Sequence, residues 1–166
     1  MSEMKNYITG IFYGNSLTFI LRILCGMLFL YSGFFKVLDL ENFGRITMMY
    51  NILPAVFIPY TAIIVPVLEL TLGVLFLFGY KIRAASFITV LLMLLFMVFI
   101  GINIARGNTF DCGCFELSQF GIKEEIGTPL LVRDAVILAV VAVLFYAKKH
   151  LYSLESLIEK IRLKNI

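Results

Sequence analysis

Four long apolar runs, separated by short polar turns, dominate the pattern of this chain. They span about 17–38, 55–80, 84–104 and 129–147. About 20 helical residues cross the hydrocarbon of a bilayer, so each run is long enough to span. None alternates polar and apolar positions as a barrel strand would. The expected fold is therefore all-α, an integral membrane four-helix bundle in one domain. The first run is too long for a signal peptide, and no small-residue cleavage site follows it. Between the first two runs, Phe43, Ile46, Tyr50 and Leu53 recur at helical spacing. They predict a short helix over Glu41–Leu53, lying on the outer surface and ended by Pro54. Leu151, Leu154, Ile158 and Ile161 repeat in the same way among basic residues. This predicts a C-terminal amphipathic helix over 150–164 on the anionic inner leaflet.

Composition removes the main alternatives. Hydrophobic residues make up 61% of the 166 and charged residues 15%, too apolar for a water-soluble enzyme or a secreted disulfide scaffold. A net charge of +3 implies no polyanion, so the bilayer is the partner expected and nucleic acid is not. The placement of Lys and Arg is more informative than their sum. With the N-terminus inside, 8 lie on the inner side and 5 on the outer. That bias predicts both termini in the cytoplasm, with the chain crossing the membrane four times and the long loop between the third and fourth spans outside.

That loop carries Cys112-Gly113-Cys114. On an extracytoplasmic face a dithiol can oxidise and stay oxidised. Two cysteines one residue apart close only a very small ring, which the intervening glycine tolerates. A strained, exposed disulfide is the exchangeable kind, and nearby cations favour the thiolate. Arg106, Arg133 and Lys36 are all expected at outer ends of spans and are candidate supports, whereas Asp111 opposes thiolate formation. The same pair can instead be an inert disulfide that pins the loop. Metal binding is not expected, because two further ligands are missing and the single histidine, His150, lies across the membrane.

Ionisable groups inside a span usually face a partner or a cavity. Glu69 is the deepest, and Arg22 is close enough to its level to form a buried ion pair with it. Alternatively Glu69 and Lys36 line a polar cavity, although Lys36 is also near enough to the interface to snorkel. Arg133 and Asp134 read as an electrostatic support or as an internal ion pair at the start of the fourth span. Cys25, Gly26, Ser32 and Gly33 form two small pairs along one face of the first span, suited to close helix contact, with Gly73 and Gly101 in similar roles.

Taken in order, several segments carry a resemblance. Tyr31-Ser32-Gly33-Phe34-Phe35-Lys36 closes the first span, followed by Tyr50-Asn51-Ile52-Leu53-Pro54 and Pro66-Val67-Leu68-Glu69-Leu70-Thr71-Leu72-Gly73. Arg106-Gly107, Cys112-Gly113-Cys114-Phe115 and Arg133-Asp134 complete the set. This series resembles the MauE/DoxX-like group of bacterial membrane proteins, with Glu116 where that group usually has Gly and Asp134 where it usually has Asn. The resemblance implies a redox-associated inner-membrane protein. It further implies a role in maturing a periplasmic redox enzyme of the methylamine-utilisation type, with Cys112 and Cys114 as the reactive pair. A thioredoxin-like or client redox protein is the implied partner; quinone is a possible electron acceptor, by analogy with DoxX relatives. The readings that compete are a non-catalytic assembly or anchoring subunit with a locked loop disulfide, a quinone-linked electron-transfer subunit, and a small transporter built around Glu69 and Arg22.

Overall fold

The computed structural model describes residues 15–108 and 127–147. Among these the fold is all-α: α1 (Asn15–Leu38), α2 (Leu40–Met49), a 3-10 turn (Ala55–Phe57), α3 (Ile58–Phe78), α4 (Ile82–Ala105) and α5 (Thr128–Tyr146). Four segments are long and apolar enough to cross a membrane: α1, α3 with its preceding turn, α4 and α5. The 24 residues of α1 rise about 36 Å, more than the hydrocarbon needs. The expected C-terminal amphipathic helix over 150–164 lies outside the described residues, as does the Cys112–Cys114 loop.

Helix ends follow local chemistry. α3 stops at Phe78 because Gly79 adopts a left-handed conformation (φ 67°), where its N–H bonds back to Leu75 and Phe76 carbonyls. Tyr80 and Lys81 complete the tight reversal, so the second span ends two residues short of the expected 80. Its first three residues, Ala55–Phe57, wind as a 3-10 turn behind Pro54. α2 begins where the Asp39 carboxylate accepts a hydrogen bond from the Asn42 N–H at 3.0 Å.

The bundle is organised around α1 against α3 and α4 against α5, with α5 also touching α1. Glycines set the first contact. A Cβ on Gly73 would stand 2.8 Å from the Leu30 nitrogen and 2.9 Å from the Gly26 carbonyl oxygen, so the two backbones touch there. A Cβ on Gly33 would meet the Leu70 nitrogen and the Pro66 carbonyl oxygen, both at 2.9 Å. Gly101, expected to serve similarly, has nothing within 4 Å of its Cβ position and makes no such contact. The apolar core runs through Phe29, Leu72, Phe76, Ile82, Val141 and Leu144.

The helix predicted after the first span forms over Leu40–Met49, ending four residues before the expected Leu53, with Phe43 and Ile46 turned into the bundle and Glu41, Arg45, Met48 and Met49 exposed. Gly33 faces Pro66, and α1 ends at Leu38, whereas α3 extends outward from Pro66 to Ile58. The space left beside the first turns of α3 is filled by α2, whose Gly44 sits against Ala62. Phe43 is buried there, and Ile46 and the adjoining Tyr50 join an apolar cluster with Ile100 and Leu130.

Candidate functional site

Among the described residues, three polar assemblies occupy this end of the bundle. The first is a buried ion pair. Lys36 and Glu69 are 1% and 4% exposed, and the Lys36 ammonium donates to Glu69 Oε1 at 2.6 Å and to Oε2 at 2.9 Å. Ser32, one turn before Lys36 on α1, donates its hydroxyl to Oε2 at 3.0 Å. The Phe43 and Phe96 rings flank the ammonium, their centroids 5.1 and 5.7 Å away. The close α1–α3 approach at Gly33 brings Lys36 level with Glu69, so neither charge is left alone in a low-dielectric interior.

This arrangement corrects the sequence expectation for Glu69. Its partner is Lys36, not Arg22, and Lys36 turns inward rather than snorkelling. Arg22 lies 14 residues earlier on α1, about 21 Å along the axis, with its guanidinium over the Phe19 ring at 5.1 Å. It is 1% exposed, in the other half of the helix. Ser32 was legible as a small packing residue; its second role as a donor to Glu69 was not.

The second assembly ties α2 to the end of α4. Asn103, fully buried, donates its amide to the Tyr50 carbonyl at 3.3 Å and to the Phe99 carbonyl at 3.0 Å. Arg106 reaches the carbonyl oxygens of Tyr50 and Asn51 at 3.5 and 3.3 Å. Asn108 donates to Asn103 Oδ1 at 2.9 Å. Asn51 holds a positive φ of 48°, and the chain leaves the helix through Gly107 at φ 72°. The structure thus engages Arg106 with backbone carbonyls of the α2–α3 connection. Asn103 and Asn108 were overlooked in the sequence; an amide inside an apolar run was the available signal, since it must find a partner there.

At the start of α5, Arg133 binds the neighbouring Asp134 through Nε at 3.1 Å and Nη2 at 2.9 Å, both to Oδ1. Asp134 is fully buried, and the Arg133 side chain is 27% exposed. Cys112 and Cys114 fall between Asn108 and Gly127, outside the described residues. Cys25 is buried in the α1 core, 6% exposed.

Comparison with known proteins gives a consistent picture. A family model described as methylamine utilisation protein MauE matches residues 14–147. Among curated proteins, the methylamine utilization protein MauE of Paracoccus denitrificans is 29% identical over 120 residues, covering 72% of this chain and 63% of its own length. The protein of the same name from Paracoccus versutus is 28% identical over the same shares. The chain therefore spans a little under two thirds of these relatives. No solved structure matches.

Proposed function

The chain belongs to the MauE family, and from that premise we propose that it serves thiol–disulfide chemistry on the extracytoplasmic face of a bacterial inner membrane. The reading extends to maturation of a periplasmic redox enzyme, in a setting such as the methylamine utilisation for which the relatives are named. Both termini then lie in the cytoplasm, and Cys112-Gly113-Cys114 faces outward. The observation that supports it is the anchorage of the loop's base. Asn108, four residues before Cys112, is bonded to Asn103, which in turn grips the Tyr50 carbonyl. That network holds the chain where it leaves α4 for the segment that carries the two cysteines.

The chemistry is ordinary exchange. The thiolate of one cysteine attacks a partner disulfide, an S–S bond forms between the proteins, and one partner sulfur leaves as thiolate. The second cysteine then attacks the mixed disulfide, closing Cys112–Cys114 and releasing the partner as a dithiol. Two electrons and two protons pass to the partner; the reverse order oxidises it. Arg106 lends positive charge where the chain enters the loop, which favours thiolate, whereas the charge of Arg133 is largely balanced by Asp134.

The decisive test replaces both cysteines. The Cys112→Ser, Cys114→Ser variant should insert normally and lose the ability to support client maturation in a complementation assay. A membrane-impermeant maleimide should label Cys112 and Cys114 in intact spheroplasts after mild reduction. Full complementation by the double variant, or labelling only after the membrane is opened, refutes the proposal. A pair that yields only to strong reductant marks a structural disulfide in an anchoring subunit.

A further inference from the structure

Beside the ion pair lies a partly open cavity of about 160 Å³ that the proposed thiol chemistry does not use. Its walls come from α2, the connection after it, α3 and α4, including Phe43, Thr47, Leu53, Val65, Phe96 and Phe99. It lies at the depth of spanning helices: Val65 is seven residues inside α3, and Phe96 is nine residues from the end of α4. No charged side chain lines it. Its polar side chains are few: Tyr50 adds a phenol, and the two threonine hydroxyls donate to backbone carbonyls, Thr47 to Phe43 at 2.8 Å and Thr61 to Phe57 at 2.9 Å. Leu95, 52% exposed, stands on its rim toward the lipid.

From this geometry we infer that the cavity is a binding site for a hydrocarbon chain, drawn from the bilayer between α3 and α4. An apolar cavity of about 150 Å³ stays dry and accepts a ring the size of benzene, so this one accommodates a run of about six carbons. Water gains too little there, since a buried water needs two to four polar partners. A polar head group fails for the same reason. Phe43 and Phe96 give the site a second consequence. They form its wall on one side and flank the Lys36 ammonium on the other, so an apolar occupant keeps those rings in place and water away from the Lys36–Glu69 pair. Phospholipid acyl chains and isoprenoid tails share the required chemistry.

Photolabelling tests the assignment on the full chain in phosphatidylcholine bilayers. One arm uses a phospholipid with a diazirine in its acyl chain, the second a diazirine-bearing isoprenoid alcohol, and the third a water-soluble diazirine. With one of the two hydrocarbon probes, adducts at Leu53, Thr61 and Phe99 should saturate as probe is added. They should fall at least fivefold in Val65→Phe, which fills the cavity. Adducts at the lipid-facing Leu94 and Val98 should rise linearly and stay unchanged. The arm that saturates identifies the source of the chain. Leu92→Phe serves as the second filling variant if Val65→Phe disturbs the Leu94 and Val98 reference. Cavity adducts that are absent, that track the lipid-facing ones unaltered by filling, or that come mainly from the water-soluble probe overturn the inference. The Cys112→Ser, Cys114→Ser variant should label as the parent does, so this result stands or falls apart from the thiol proposal.

Discussion

Lys36 and Glu69 meet at 2.6 Å across the α1–α3 contact, both almost completely buried. Removing one member of such a pair leaves an uncompensated charge in a low-dielectric interior, which costs about 3–5 kcal/mol. Glu69→Gln and Lys36→Met should each destabilise the bundle by about that much in reversible detergent unfolding. The double change Lys36→Met, Glu69→Leu should cost less than the worse single. Additive losses would show that the two side chains act independently.

The glycines of the α1–α3 contact should be far less tolerant than the one in α4. At Gly33 and Gly73 an added methyl meets backbone atoms below 3.0 Å, so Gly33→Ala and Gly73→Ala should each cost about 1–3 kcal/mol through displaced helices. Gly101→Ala meets open space and should be neutral or stabilising by up to about 1 kcal/mol, the helix propensity gained. Thermal unfolding of the three variants in one detergent decides this, and equal effects would contradict the described packing.

Asn103→Leu should free the connection after α2. Losing the amide deprives the Tyr50 carbonyl of one buried donor and Asn108 of its acceptor, a loss of about 1–3 kcal/mol. Amide exchange over residues 50–53 and at Asn108 should accelerate at least tenfold, while the middle of α3 keeps its protection. Unchanged exchange in that connection would place the restraint elsewhere.

Cys25 should behave as a packing residue. In the Cys112→Ser, Cys114→Ser background it is the sole thiol, and at 6% exposure a maleimide should modify it only after denaturation. Cys25→Ala should leave thiol-dependent function intact. Rapid labelling of the native protein would mean that α1 opens to solvent.

Much of this protein is written directly in its sequence. Apolar length alone determined the four spanning helices, because a bilayer demands about 20 residues of satisfied backbone in each crossing. The small residues on one face of α1 were legible as well, whereas the stop at Gly79 was not read and the second span was expected to run on to 80. The tertiary structure alone decided which charge meets Glu69. Arg22 and Lys36 are 14 residues apart, close to four whole turns, so they share nearly the same face and periodicity cannot choose between them. The choice depends on how far α1 slides along α3, and the glycine contacts at Gly26, Gly33 and Gly73 fix that register. The same slide leaves α1 short of the start of α3, which opened the space that α2 fills. Periodicity specifies the direction a side chain faces; its height against a neighbouring helix is set only when backbones meet.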